Sequence, residues 1–157
     1  MEAIRQIDLK VNARKTDLSV LRRLSHAFVE AKWSINDAIS TGDIFGYKYN
    51  EHRKVNCFDK KHNRVEREIT LNTGIHQNLI KKLREDIKNL NKKKLKGGKV
   101  GKLRFRREVS CLPIRHQGMT IKSGSMMTIP GFHNLKVHGL EQLKSFESYQ
   151  LHDSCLL

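Results

Sequence analysis

The sequence contains no run of about eighteen apolar residues, the shortest stretch typical of a helix that crosses a membrane. Its first ten residues, MEAIRQIDLK, also lack the cationic and then apolar segments of a secretory signal. These two absences lead us to expect a cytoplasmic protein that has no membrane partner.

Cysteine is scarce, and the three residues Cys57, Cys111 and Cys155 are widely spaced. An odd number at such spacing predicts no disulfide framework. His52, Cys57 and His62 lie close together in the sequence, but their spacing matches no strong zinc pattern and no fourth ligand is evident. We therefore predict no metal site.

Acidic residues are also few, because 16 Asp and Glu face 31 Lys and Arg and leave a formal charge of +15. Self-repulsion of this size is best explained by a polyanionic partner, and nucleic acid is favoured over an acidic membrane surface. The length of 157 residues suits one core, or a small sheet with a helical insertion.

The acidic residues show no grouping that would support catalysis. Cutting a phosphodiester with two metal ions requires several converging carboxylates. The carboxylates considered are scattered beside lysines: Glu30, Asp37, Glu66, Glu68, Glu85 and Asp86. We therefore predict that the chain has no catalytic residue and no cofactor, and that it is not an enzyme on its own.

The most informative stretch is residues 71–107, where an amphipathic helix runs into a glycine-broken basic tract. Thr73 is the predicted N-cap. The apolar residues follow a helical period: Ile75, Leu79, Leu83, Ile87 and Leu90. In the basic tract Leu103 and Phe105 alternate with cations, so we expect one face to insert into a sheet while the other meets phosphate.

The remaining segments predict an α+β fold. Residues 7–11 alternate as a half-buried strand, and a helix with Thr16 as N-cap runs to about Ser40 and packs against the 74–94 helix. Residues 42–69 have poor periodicity and are interpreted as a partly ordered connection with one short helix. Strands follow at 109–114, 119–122, 126–129 and 134–137, with a hairpin turn at 123–125, and residues 139–157 are ambiguous.

A lone opening strand needs later partners, so the β-structure is expected to be interrupted by a helical insertion. We predict an antiparallel, oligonucleotide-binding-like β-barrel from residues 1–14 and 103–151. Residues 15–102 form the helical insertion with its basic loop, and residues 152–157 form a tail.

Five segments in this order resemble a known family. They are QIDLKVNARKTDLSVLRRL, AFVEAKWSINDAI, IHQNLIKKLREDIKNL, GGKVGKLRFRR and TIPGFHNLKVHG. The arrangement is similar to the N-terminal half of TnpB (OrfB), the transposon-encoded RNA-guided DNA nuclease related to type V CRISPR effectors. The segment AFVEAKWSINDAI lies where the family has an aromatic-Asn-Ala motif, and GGKVGKLRFRR lies where it has GxPRF. The segment TIPGFHNLKVHG resembles the family's LPKLGxVKxxG strands.

The resemblance implies a wedge domain, which is the barrel, and an inserted recognition lobe. These parts would hold the guide-RNA scaffold and read a short DNA motif beside the target. Gln77 and Asn78 stand in the place of the family's motif-reading pair, and Thr73 stands where members often have Lys. The RuvC nuclease half, with its DxG strand, Glu, Asp and CxxC zinc pair, has no counterpart here. In the family that half would use Mg²⁺, and a separate RuvC-containing chain or a second copy of this chain would be the remaining partner.

The candidate nucleic-acid-binding residues are the cations of the helix, the tract and the late strands, together with the polar helix start: Thr73, Gln77, Asn78, Lys81, Lys82, Arg84, Lys92, Lys93, Lys94, Lys96, Lys99, Lys102, Arg104, Arg106, Arg107, Arg115, Lys122 and Lys136. Tyr47 and Tyr49 are candidates for stacking on bases, with core filling as the equal alternative. The alternative function is a general protein for structured RNA, of the ribosomal-protein kind, that recognises shape.

Overall fold

The computed structural model describes residues 7–122, 125–145 and 154–156. It is an α+β fold with two long helices and antiparallel sheets, which confirms the predicted fold class. In chain order the elements are β1 (Lys10–Val11), α1 (Leu18–Ser40), β2 (Lys54–Phe58), β3 (Arg64–Glu68), α2 (Thr73–Leu95), β4 (Leu112–Ile114), β5 (Thr120–Lys122), β6 (Met126–Ile129), β7 (Phe132–His138), a 3-10 helix (Leu140–Ser145) and β8 (Ser154–Leu156).

The first helix, α1, begins one residue later than predicted. Asp17 is the N-cap, and its carboxylate accepts from the backbone N–H of Ser19 at 2.7 Å. Thr16 is instead buried, and its hydroxyl accepts from the backbone N–H of Lys136 at 3.1 Å. This hydrogen bond joins the start of α1 to β7. Gly42, at φ +74°, follows the end of the helix and allows the chain to turn there.

The two helices pack against each other, which confirms that part of the prediction. The buried face of α1 is narrow and made mostly of small side chains, including Ala27, Ala31, Ser34 and Ala38. Small residues at spacings of four and three allow a neighbouring element to approach closely along one side of a helix. The facing side of α2 supplies larger apolar groups, so the core lies between the helices and continues to β4 and β7.

The segment before α2 differs from the prediction, because β2 and β3 form an antiparallel hairpin where a connection with one short helix was expected. Its alternation is weak, since Val55 is the only side chain of the two strands that is fully buried. Opposite charges face each other instead, as in the pair Lys54 and Glu68. Asp59 closes the turn by accepting from the backbone N–H groups of Lys61 and Asn63 at 2.8 and 2.9 Å. These hydrogen bonds lower the pKa of the Asp59 carboxyl.

The opening strand pairs with a late strand, as predicted. Lys10 lies opposite His138 and Val11 opposite Val137, which places β1 at one edge of the four-stranded sheet β1-β7-β6-β5. The turn predicted at residues 123–125 connects β5 and β6, which do pair, but positions 123 and 124 lie outside the described residues.

In the described part of the chain the strands form three separate sheets and do not close into a barrel. The third sheet pairs β4 with β8, so part of the segment assigned as a tail is a strand. A barrel would need more strands, and residues 101–111 contain none. The further strand considered near residues 146–151 lies outside the described residues.

Two other sequence expectations bear on this fold. Cys111 is disulfide-bonded, although the sequence predicted no disulfide framework, whereas Cys57 is free. The spacing of cysteines along the chain could not predict this bond, because it does not give their distance in the fold.

Judged over the described residues, neither α1 nor α2 has an apolar stretch that would span a bilayer.

Candidate nucleic-acid interface

The second half of α2 leaves the core and carries the main concentration of charge. Leu95, near its end, is 88% exposed, whereas Ile75 at its start is 1% exposed. From position 88 to position 107 the chain has ten Lys and Arg and no Asp or Glu. We call residues 88–107 the basic arm. All ten cationic side chains are exposed, and within the described residues none forms an ion pair.

The helical part of the basic arm is stabilised locally rather than by burial. Lysine favours helix, and Lys92, Lys93 and Lys94 lie in the last turn, where cations interact favourably with the partial negative charge of the free carbonyl groups. The helix then stops at two glycines. Gly97 has φ +80°, and a Cβ at Gly98 would lie 2.7 Å from Cγ of Lys93. Glycine is therefore required for the chain to turn back here.

After this turn the chain returns to α1 without forming a strand. Asn36 of α1 accepts from the backbone N–H of Arg106 at 2.7 Å and donates to its carbonyl oxygen at 2.9 Å. The predicted insertion of Leu103 and Phe105 into a sheet is wrong, because they are 48% and 63% exposed. The side-chain amide of Asn36 takes the hydrogen bonds that a neighbouring strand would have supplied.

The cations outside the basic arm fall into different environments. Lys81 and Lys82 are exposed on α2, and Lys81 Nζ lies 4.0 Å from a carboxylate oxygen of Glu85. Lys122 on β5 is exposed and its Nζ lies 3.4 Å from the side-chain oxygen of Asn134. Lys136 on β7 is half-buried. The exposed cations on α2 can add to the charge of the basic arm.

Two predicted binding residues are engaged in holding the fold. Arg84 donates to the backbone carbonyls of Ile44 and Tyr47 at 3.0 and 2.5 Å, and thereby fixes the connection after α1. Arg115 donates through Nε to the side-chain oxygen of Asn78 at 2.9 Å. The sequence could not distinguish these arginines from free ones because their partners lie 37 to 40 positions away.

The start of α2 also differs from the expectation in detail. Asn72 is the N-cap and accepts from the backbone N–H groups of Gly74 and Ile75 at 2.9 and 3.4 Å. Thr73 is exposed, and its hydroxyl accepts from Arg53 at 2.8 Å. Gln77 is half-buried on the next turn.

An open pocket of about 280 Å³ lies beside this helix start. It is lined by residues of α2, of the segment after β4 and of the turn between β6 and β7: Asn72, Gly74, Ile75, Arg115, Gln117, Gly118 and Pro130. Since Arg115 lines the pocket and donates to Asn78, this member of the predicted motif-reading pair lies next to a concave surface with one cation in its lining.

The two tyrosines that were candidates for stacking on bases, with core filling as the equal alternative, both pack against the core. Tyr47 is 4% exposed and its hydroxyl donates to Asp37 at 2.9 Å. Burial, followed by the neighbouring Asp37 carboxylate, raises the pKa of Tyr47 well above its usual value. Tyr49 is half-buried with its ring edge toward His76, 5.4 Å between centroids. Tyr47 therefore fills the core, which was the alternative to stacking on a base.

His76 is fully buried in the middle of this region. Burial, followed by the nearby charge of Arg53, lowers the pKa of His76 to about 4. Its Nε2 is hydrogen-bonded to the hydroxyl of Ser34, and its Nδ1 has no partner among the described atoms. At neutral pH the ring is therefore an uncharged core group that adds no charge to the surface.

Among the described residues, the large aromatic side chains that are exposed are phenylalanines. Phe58 is 72% exposed at the end of β2, Phe45 is 49% exposed with Lys88 Nζ at 5.9 Å from its ring centre, and Phe105 lies within the basic arm. The alternation of apolar and charged residues drew attention to Phe105 but predicted that its side chain is buried.

Comparison of the chain with known protein families, curated proteins and solved structures finds no match.

Proposed function

We propose that this chain is a nucleic-acid-binding half of a TnpB-like RNA-guided DNA endonuclease. It binds the scaffold of a guide RNA through the basic arm and reads a short DNA motif beside the target through the region of Gln77 and Asn78. It does not cleave by itself, and a separate RuvC-containing chain or a second copy completes the assembly. On this proposal the four-stranded sheet is the described part of the wedge domain.

One observation carries the proposal, namely the geometry of the basic arm. Ten exposed cations stand on a helix that projects from the core and on a segment that returns to α1. A phosphate backbone is the complement that such an arrangement fits, because many fixed cations can each release a condensed counterion.

The order of elements also agrees with the resemblance. A short opening strand, two long helices, the glycine-broken basic segment and the late strands follow one another, and β1 pairs with β7 across the whole insertion. This agreement concerns arrangement, and it supports the proposal without naming a family for the chain.

The placement of two carboxylates supports a non-cleaving role. The buried carboxylate of Glu30 accepts from the backbone N–H and the hydroxyl of Thr70 at 2.9 and 2.8 Å. Asp37 accepts from Tyr47 and from Nδ1 of His52. Each of these groups is used to join α1 to the following segment, which leaves neither open to a pair of metal ions.

Sequencing the RNA that co-purifies with the chain tests the proposal most directly. The expected result is one structured RNA species with a variable guide end. Ribosomal or mixed RNA would instead support the general structured-RNA function, and magnesium-dependent cleavage by the purified chain would contradict the non-cleaving role.

The role of the basic arm predicts a specific salt dependence. If about six of its cations contact phosphate, log K against log salt has a slope near −5. Replacing Lys92, Lys93 and Lys94 by alanine should reduce the magnitude of this slope by about 2 to 3, since each phosphate contact contributes about one. Filter binding of RNA from about 50 to 300 mM salt measures it.

The matched control removes the same charge from the β2–β3 hairpin, by changing Lys54, Lys60 and Lys61 to alanine. These three side chains are also exposed. The control should retain most of the wild-type slope. Equal losses in the two triple variants would show that net charge, rather than the basic arm, governs binding.

A further inference from the structure

We propose that Phe105 is a stacking platform for an unpaired base of the bound RNA, and that Asn36 is the positioning residue that fixes it. This inference rests on the proposed function and adds to it the kind of RNA that the basic arm selects. The platform is the Phe105 ring together with the backbone of Arg106 held by Asn36.

The first observation is the exposure of the ring. Phe105 is 63% exposed, and its neighbours in the chain, Arg104 and Arg106, are charged and also exposed. An exposed aromatic face is the surface on which bases stack in single-strand sites, because every base has a flat apolar face of similar size.

The second observation is that the ring is attached to a fixed piece of backbone. Asn36 both accepts from the N–H and donates to the carbonyl of Arg106, at 2.7 and 2.9 Å. Asn36 itself lies on α1 next to the buried Ile35, so its own backbone is held by the core. A ring held in this way loses less conformational freedom when a partner binds than a ring on a mobile loop.

The charge around the ring decides what covers it. A base in RNA brings its own phosphates, which the cations of the basic arm can contact on either side of the stacked base. A second copy of this chain would bring another formal charge of +15 against the same cations, which opposes association through this face. Charge complementarity therefore favours a nucleotide over an apolar contact between copies.

Phe58 provides an internal contrast. It is even more exposed, at 72%, but it lies in a hairpin of mixed charge, where Asp59, Glu66 and Glu68 stand among Lys60, Lys61 and Arg64. The basic arm, in contrast, has no Asp or Glu, so its charge favours phosphate more strongly, and we assign Phe58 no base. This residue gives a matched control of the same chemical type.

The experiment compares the full chain and its variants on two RNAs of equal length, one fully duplexed and one a hairpin with a single-stranded extension. Phe105→Ala should lower affinity for the extended hairpin by about 5- to 100-fold. It should leave affinity for the duplex and the salt slope unchanged. Phe58→Ala should change neither affinity.

Two further variants separate stacking from a structural effect. Phe105→Trp should retain the preference for the extended hairpin, and its added fluorescence over that of the sole native tryptophan, Trp33, should be quenched when that RNA binds. Asn36→Ala should reduce the same preference by less than Phe105→Ala does, and should not alter duplex affinity.

Four results would overturn the inference. An equal loss of affinity for both RNAs in Phe105→Ala would show that the ring gives no preference for an unpaired base, and no change in either affinity would show that no base stacks on it. Binding of the chain to anionic phospholipid vesicles that depends on Phe105 while RNA binding does not would assign the ring to a membrane, and Phe105-dependent dimerisation would assign it to a second copy. If the wild-type chain binds neither RNA, the proposed function itself fails, whereas normal binding with no effect of Phe105→Ala removes this inference alone.

Discussion

The two halves of α2 belong to one continuous helix but have opposite surroundings. In the first half Ile75, Leu79 and Leu83 are almost completely buried against α1 and β4. In the second half Leu90 and Leu95 are 42% and 88% exposed among lysines. Burial of apolar surface stabilises the first half, while helix propensity and favourable end charges stabilise the second.

This difference shows how a small protein can hold like charges outside its core. A tract of cations on a free loop would lose much of its order through repulsion, whereas continuation from an anchored helix fixes where the cations project. The anchored half sets the direction, and the exposed half is available to a partner. The two halves should therefore respond differently to the same kind of mutation.

The largest contrast is expected from truncating a leucine in each half. Leu79→Ala should lower the free energy of unfolding by about 2 to 5 kcal/mol, because it removes buried contacts and leaves a cavity. Leu95→Ala should change it by less than about 0.5 kcal/mol, since that side chain is already in solvent. Urea unfolding monitored by circular dichroism measures both, and similar losses would show that the second half is also packed.

A smaller effect is expected from pH, through His76 in the anchored half. Unfolded His76 takes up a proton below its ordinary pKa of 6.5, whereas the folded group does so only near its pKa of about 4. Stability is therefore full above pH 6.5, falls as pH decreases toward 4, and then levels off with respect to this group. The loss is roughly 3 kcal/mol over that window.

The variant His76→Gln keeps polar atoms near Ser34 but does not titrate. Its free energy of unfolding, measured from pH 7.5 to pH 4, should decrease less steeply than that of the wild type. Parallel profiles would mean that other groups cause the acid sensitivity. The second half of α2 has no titrating histidine, so RNA affinity at constant salt provides a reference for effects on the basic arm.

The smallest effect concerns the cap of the anchored half. Asn72→Ala should cost about 1 kcal/mol of stability, because it removes the acceptor for the N–H groups of Gly74 and Ile75. Thr73→Ala should cost less, since Thr73 receives only a hydrogen bond from Arg53 at the surface. Thermal unfolding of the two variants gives the order, and the reverse order would restore Thr73 as the cap.

The elements that were predictable have a strong local pattern. The period of Ile75, Leu79 and Leu83 places α2 correctly, and the alternation in β5, β6 and β7 places three late strands within a few residues. Both N-caps were displaced by one residue, because Thr16 and Thr73 are as suitable by type as Asp17 and Asn72. Only the position of neighbouring side chains decides between adjacent candidates.

The parts that were not predictable depend on distant partners. The β2–β3 hairpin has little hydrophobic alternation and is joined by cross-strand charges, so its strands look like connection. Arg84 and Arg115 resemble any other cation in the sequence, yet each donates to groups on another segment. Phe105 has the alternation of a strand, but α1 rather than a sheet lies beside it.

By itself the sequence determined the excess of positive charge, the two long helices and the late strands, because composition and short-range periodicity depend only on near neighbours. The tertiary structure alone decided which cations are free, which aromatic rings are exposed and that β1 pairs with β7. Those features depend on contacts between residues far apart in the chain, and a local sequence pattern does not determine the free energy of such contacts.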